Sequence, residues 1–139
     1  MADKNDVTVL LVEDNEVDVM GVQRAFRQSS LTNPIIVAAN GLEALTMLRS
    51  GEISRKPHLI LLDLNMPKMN GIEFLQEVRG DRQLKKSVIF VLTTSNAQED
   101  KEKAYNHNVA GYIVKGRSAG DFVDAAGLLG HYATVCEFP

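Results

Sequence analysis

Two kinds of hydrophobic pattern alternate along the chain. The first is a short run of aliphatic residues that is not interrupted by polar positions. Such runs are typical of parallel strands, because helices cover both faces of a parallel sheet. The pattern predicts strands at residues 7–12, 35–39, 59–62, 88–92 and 110–114.

The second pattern places apolar residues three and four positions apart, which is the spacing of one helix face. Three such faces are Leu42, Ala44, Leu45 and Leu48; Phe74, Leu75 and Val78; and Phe122, Ala125, Ala126 and Leu129. Capping pairs, in which an acid or amide follows a polar residue after three positions, are Asn40 with Glu43, Asn70 with Glu73, Ser95 with Gln98, and Ser118 with Asp121. Only the Ser95 pair matches the strict capping-box sequence. The alternation of strands and helices predicts a (βα)5 domain with three layers.

The predicted fourth helix, at residues 97–108, differs from the others in having almost no apolar face. Its apolar residues are Ala97, Ala104 and Tyr105. We therefore expect it to pack loosely and to face solvent. A helix that buries little surface opens at a low free-energy cost, so this is the expected position of a moving or partner-binding surface.

Composition and charge restrict the class of protein. With 139 residues, 45% hydrophobic residues and 24% charged residues, the chain is expected to form one soluble domain, 1–139, with its core at about 7–134. The net charge of -3 without a basic cluster argues against nucleic acid as the ligand. No apolar run is long enough for a membrane span or a secretory signal, and the single cysteine, Cys136, cannot form an internal disulfide. These features predict a cytoplasmic protein.

Chemically reactive side chains directly follow four of the predicted strands. Ligands of open parallel sheets bind outside the carboxyl ends of the strands. The residues at these positions are Glu13 and Asp14, Asp63, Thr93 at the start of a hydroxyl cluster, and Lys115. We expect all of them to meet at one edge of the sheet.

Three carboxylates at one edge repel one another, and a bound cation relieves this repulsion. Oxygen ligands without a cysteine or histidine cluster favour Mg2+, which often pairs carboxylates with a phosphate. Asp63, alone after a buried strand, is then the candidate nucleophile for an acyl phosphate, with Glu13 and Asp14 as metal ligands. Lys115 and the Thr93 hydroxyl would contact phosphoryl oxygens. The simpler alternative is that Glu13 and Asp14 only interact with a helix dipole and that Lys115 is a surface lysine.

A set of motifs now matches a known family. The pair Glu13-Asp14, Asp63 in "LLDLNMPKMNG", Thr93 in "VLTTS" and Lys115 in "GYIVK" resembles the receiver domain of two-component response regulators over nearly the whole chain. The resemblance implies a flavodoxin-like receiver fold with strand order 2-1-3-4-5. It also implies that a histidine kinase phosphorylates Asp63. The implied ligands of Mg2+ are Glu13, Asp14, Asp63 and the backbone carbonyl of Asn65.

The same resemblance implies how the signal leaves the site. The Thr93 hydroxyl moves onto the phosphoryl group and Tyr112 turns inward with it, which changes the surface of the fourth helix, fifth strand and fifth helix. That surface would bind a downstream protein or form a homodimer. The "LTTS" segment and the "EFP" tail resemble stand-alone regulators paired with bacterial phytochrome kinases. Gly116 replaces the proline that usually follows the lysine, so we expect a trans peptide there.

Two other functions, a phosphatase and a flavin-binding protein, are alternatives to the receiver. A Mg2+-dependent phosphatase of the haloacid dehalogenase type also uses an aspartate nucleophile, but that family carries it in an Asp-x-Asp pair after the first strand. Here residues 13–15 read Glu-Asp-Asn. A flavin-binding flavodoxin would need a loop rich in Ser, Thr and Gly after the first strand, and this loop is acidic. We therefore predict a phosphoacceptor signalling module rather than an enzyme with turnover.

Overall fold

Five strands alternate with five helices along the part of the chain that the computed structural model describes, residues 7–116 and 121–139. In chain order they are β1 (Thr8–Val12), α1 (Glu16–Gln28), β2 (Ile35–Ala38), α2 (Gly41–Arg49), β3 (His58–Leu62), α3 (Gly71–Gly80), β4 (Val88–Thr93), α4 (Gln98–Asn106), β5 (Gly111–Val114) and α5 (Asp121–Val135). The predicted (βα)5 arrangement is confirmed. The capping position predicted at Ser118 lies outside the described residues.

The strands form one parallel sheet in the order β2-β1-β3-β4-β5. This confirms the order that the family resemblance implies. The chain reverses its direction of winding between β1 and β3, which are neighbours at the centre of the sheet. Val12, the last residue of β1, pairs with Leu62, the last residue of β3. The segments that follow these two strands therefore start side by side.

Hydrophobic cores cover both faces of the sheet, as the uninterrupted aliphatic runs predicted. Alternate strand residues such as Leu10 and Ile60 pack with α2 and α3, whereas their neighbours Leu11 and Leu61 pack with α1 and α5. No helix in the described ranges has the length and apolar character needed to cross a membrane.

The predicted buried face of α2 is wrong at one position. Leu42 is largely exposed, and the buried residues of this helix are Gly41, Ala44, Leu45 and Leu48. These four positions already have the helical spacing of one face, and Leu42 lies beside it. Gly41 belongs to this face because its backbone packs closely against Met69, and a β-carbon at Gly41 would lie 2.9 Å from the Met69 side chain.

The helix caps agree with the sequence in two cases and disagree in a third. The side chain of Asn40 accepts from the amide of Glu43, and Asn70 forms a complete capping box with Glu73. The capping box predicted at Ser95 is wrong. Helix α4 starts later, after Ala97, and has no side-chain cap. The Ser95 hydroxyl instead donates to Asp100, because this acid in the first turn of α4 comes within 2.5 Å of it.

Helix α4 buries a single residue, Ala104, which confirms its expected exposure to solvent. Its carboxyl end, in contrast, is attached to α3. The Arg79 guanidinium donates to the carbonyls of His107 at 2.7 Å and Asn108 at 3.1 Å, just beyond α4. It also donates to the carbonyls of Lys85 and Ser87, both at 2.8 Å. One end of α4 is therefore fixed, whereas its amino end lacks a cap.

Candidate functional site

Three carboxylates meet where β1 and β3 end. Oxygen atoms of Glu13, Asp14 and Asp63 all lie within 4.8 Å of one another. The sheet sets this position, because the Asp63 amide donates to the Val12 carbonyl at 3.0 Å and the Glu13 amide donates to the Ala38 carbonyl at 2.9 Å. Glu13 and Asp63 are only 4% and 7% exposed, and Asp14 is exposed. The structure thus brings together the acids that the sequence predicted to converge.

The loop after Asp63 is packed tightly where it meets the start of α3. The Gly71 amide donates to the Leu64 carbonyl at 2.9 Å. A β-carbon on Gly71 would lie 2.7 Å from the Asp63 carbonyl oxygen and 2.6 Å from the α-carbon of Leu64. Glycine is therefore required where α3 begins. The close approach packs the first turn of α3 against the backbone of Asp63 and Leu64.

Burial and repulsion within the cluster both raise the pKa of Glu13. Burial and, to a smaller extent, the charge of Asp63 raise the pKa of Glu13 from 4.5 to about 7, and Lys115 partly opposes these two effects. A site made of carboxylate oxygens, two of them buried, is suited to a small, hard divalent cation. The residues present therefore fit a metal of the Mg2+ type.

Lys115 reaches the cluster from the end of β5, but it does not pair with Asp63. Its amide donates to the Thr93 carbonyl at 2.7 Å, which fixes its backbone to β4. Its ammonium donates to Glu13 at 2.5 Å and to Asp18 at 2.8 Å, and these are its ion pairs within the described chain. Burial lowers the pKa of Lys115, but the bonds to Asp18 and Glu13 outweigh this effect and raise it above its ordinary value.

Asp18 was not predicted as a site residue. It lies in the first turn of α1, and its amide donates to the side chain of the N-cap residue Asn15 at 3.1 Å. The available signal was an acid in the first turn of a predicted helix, which is favoured there for general electrostatic reasons. Such an acid is too common for this position to stand out.

The hydroxyl-bearing residues lie on the other half of the sheet, with Thr93 at the end of β4 and Tyr112 within β5. Thr93 is fully buried, and its hydroxyl oxygen accepts from the Ser95 amide at 3.4 Å. The Tyr112 hydroxyl donates to the Ser95 carbonyl at 2.9 Å, and burial raises the pKa of Tyr112. The Ser95 backbone therefore connects Thr93 with Tyr112. The peptide between Lys115 and Gly116 is trans, as expected.

The sequence profile of the response regulator receiver domain matches residues 9–126. The chain belongs to this family. Response regulator Rcp1 of Synechocystis sp. is 38% identical over 116 residues, which cover 81% of this chain and 79% of Rcp1. The receiver assignment drawn from the motifs is confirmed, and neither the phosphatase nor the flavodoxin alternative retains support.

Two solved structures resemble the whole fold. The Mn2+-bound form of Rcp1 has a TM-score of 0.81 at 34% identity and covers 96% of this chain and 99% of its own. The phosphorylated cyanobacterial phytochrome response regulator RcpA has a TM-score of 0.84 at 33% identity, with coverages of 96% and 98%. The predicted similarity to phytochrome-associated regulators is confirmed. The chain is thus a receiver, a signalling module, with an acidic cluster suited to a divalent metal.

Proposed function

We propose that this receiver accepts a phosphoryl group on Asp63 from a histidine kinase, with Mg2+ as cofactor, and passes its state to a partner protein by direct contact. The observation that carries the proposal is the buried Asp63 carboxylate within 4.8 Å of Glu13 and Asp14. Similarity to regulators of phytochrome systems supports a phytochrome-type kinase as the donor.

Mg2+ would be held by the carboxylates of Glu13, Asp14 and Asp63 and by the backbone carbonyl of Asn65. When bound, it supplies the positive charge that offsets repulsion between these carboxylates and an incoming phosphoryl group. The surroundings of Glu13 support the proposal, because burial and the neighbouring charge of Asp63 both raise its pKa and a bound cation would offset both effects.

In the transfer step, a carboxylate oxygen of Asp63 forms a bond to the phosphorus of the phosphohistidine. The phosphorus–nitrogen bond breaks, and its electron pair stays on the imidazole of the kinase. Positioning and charge neutralisation account for most of the catalysis in such transfers. Lys115 and the Thr93 hydroxyl would bind the transferred oxygens, which fits their positions at the ends of β5 and β4.

Switching would start at Thr93 and reach α4 through the Ser95 backbone and Tyr112. The bond from Tyr112 to the Ser95 carbonyl supports this route, because a shift of the Ser95 backbone toward Thr93 must alter it. A groove of about 500 Å³ lies next to it, between α4, β5 and α5, and its lining includes Tyr105, Tyr112 and Leu128. We infer that a downstream protein, or a second copy of this chain, binds at this groove.

Intact-mass analysis after incubation with acetyl phosphate and Mg2+ tests the phosphorylation site. We expect one labile phosphoryl group on the native chain and none on Asp63→Asn. Asp81→Asn is the matched control, because it makes the same change at an acid that pairs with Arg49 on the surface. Equal labelling of the native chain and Asp63→Asn would reject Asp63 as the acceptor. Labelling that persists after chelation would reject the metal dependence.

Transfer from purified kinases tests the proposed partner. A phosphorylated phytochrome-type histidine kinase is expected to label the native receiver within seconds to minutes, well before a histidine kinase of unrelated input. Similar rates from both kinases would contradict the phytochrome pairing while leaving Asp63 as the acceptor.

A further inference from the structure

Lys115 is shared between two acids of different kinds. Glu13 belongs to the carboxylate cluster, whereas Asp18 lies outside it. The Lys115 side chain is 8% exposed, and that of Asp18 is 25% exposed, so solvent screens their bond only in part. Asp18 is itself held by the first turn of α1, where its amide is bound by the cap residue Asn15. The acid is thus a fixed partner for the lysine.

A metal bound by the cluster would take oxygen atoms of Glu13, but it would leave Asp18 unchanged. Asp18 then remains as the acid that keeps the Lys115 ammonium near α1. Charge-assisted hydrogen bonds of this type are stronger than neutral ones. A phosphoryl group on Asp63 must therefore compete with Asp18 for the Lys115 ammonium.

We propose that Asp18 is a positioning residue that holds Lys115 against α1 in the unphosphorylated receiver and competes with the phosphoryl group for it. The inference rests on the proposed function of Asp63. The exchange needs no change in the fold, because the Lys115 amide is fixed to β4 through the Thr93 carbonyl. The flexible lysine side chain alone moves from one anion to the other. Asp18 thereby weakens the interaction between Lys115 and the phosphoryl group on Asp63.

Binding of beryllium fluoride, a stable mimic of the phosphoryl group, tests this competition in the presence of saturating Mg2+. We expect Asp18→Asn to bind beryllium fluoride roughly three- to tenfold more tightly than the native chain, since the competing charge is lost. Glu16→Gln is the matched control. It removes one negative charge from the same exposed turn of α1 and should change the affinity less than about twofold.

A double-mutant cycle with Lys115 separates positioning from a general structural effect. In a Lys115→Gln background, Asp18→Asn should leave the affinity for beryllium fluoride unchanged, because the group through which Asp18 acts has gone. Asp18→Ser, which also removes the charge, should reproduce the tighter binding if Asp18→Asn folds poorly.

Three results would overturn the inference: unchanged or weaker binding by both Asp18 variants, an equal effect of Glu16→Gln, or a gain that persists without Lys115. Failure of the proposed function has a different signature. In that case the native chain itself would bind no beryllium fluoride, and Asp63→Asn would be labelled like the native chain.

Discussion

The β3–α3 and β4–α4 segments meet at the same edge of the sheet but are built differently. Helix α3 starts with a complete capping box and buries Gly71, Phe74, Leu75 and Val78. Helix α4 starts without a side-chain cap and buries Ala104 as its one core residue. The loop that holds Asp63 therefore lies between the central strand β3 and a firmly packed helix. The loop after Thr93 leads into a helix whose amino end is attached weakly.

This difference matches the two tasks of a receiver. The phosphoryl transfer proposed at Asp63 needs a fixed geometry, because a displaced reacting group slows transfer. Transmission of the state needs a segment with a second arrangement of similar free energy, which an element with few buried contacts supplies. Adjacent strands of one sheet thus lead into a firmly packed helix and a weakly packed one.

The largest expected effect is on stability. Phe74→Ala should lower the free energy of unfolding by about 3–5 kcal/mol, because the ring is fully buried in α3. Tyr105→Ala on α4 should cost less than about 1 kcal/mol, since this ring is 49% exposed. Urea unfolding of both variants measures the contrast. Equal losses would show that α4 is attached as firmly as α3.

Arg79 sharpens the comparison, because it connects α3 with the carboxyl end of α4. Arg79→Ala should lower the free energy of unfolding by about 2–3 kcal/mol through the loss of hydrogen bonds to four backbone carbonyls. Amide exchange should accelerate at residues 107–109. Arg79→Lys should retain little of the effect, because an ammonium cannot reproduce the planar fork of donors. Full recovery with lysine would assign the effect to charge alone.

Glu13 should make both the stability of the protein and its affinity for Mg2+ depend on pH. The pKa of Glu13 in the folded protein is about 7, which exceeds the ordinary value of 4.5. At a pH between these two values, Glu13 is protonated in the folded state and ionised in the unfolded state. Stability of the metal-free protein should therefore fall as pH rises from 4.5 to 7. Affinity for Mg2+ should rise over the same range, by up to about tenfold per pH unit, because the metal displaces this proton.

Urea unfolding in chelator and calorimetric titration with Mg2+ measure these two trends. Glu13→Gln should remove both slopes. A Mg2+ affinity of the native chain that stays constant from pH 5 to 7 would contradict the titration assigned to Glu13.

The smallest effects concern the caps. Asn70→Ala should destabilise the protein by about 1 kcal/mol through loss of the capping box of α3. Ala97→Asn should stabilise it by up to about 1 kcal/mol, because residue 97 already has the extended backbone of a cap residue. Thermal unfolding and amide exchange at the start of α4 report both changes. No gain from the added cap would mean that other contacts already hold this end.

The sequence predicted the features that depend on local patterns. Uninterrupted aliphatic runs identified the strands, and the rule that ligands bind at the carboxyl ends of parallel strands predicted that Glu13, Asp14 and Asp63 converge. The order of the strands came from the family resemblance, because local periodicity carries no information about which strands are neighbours.

Features that depend on distant partners were not predictable in the same way. Asp18 and Lys115 are 97 positions apart, and nothing local marks them as a pair. The strict capping sequence at Ser95 failed because α4 starts two residues later, after Ala97, and the Ser95 hydroxyl donates to the charged Asp100. Arg79 looks like an ordinary basic residue in the last turn of a helix, and its contacts with the segment after α4 exist only in the folded chain.

The bond between the Tyr112 hydroxyl and the Ser95 carbonyl also offers an optical signal. The chain has no tryptophan and three tyrosines, so its ultraviolet emission comes from phenol rings alone. Phenol emission responds to the acceptor of its hydroxyl proton. Replacing Tyr105 and Tyr132 by phenylalanine would leave one fluorophore at the junction of β5 and α4. The fluorescence of Tyr112 could then report a change in its bond to Ser95 as it happens, without an attached dye.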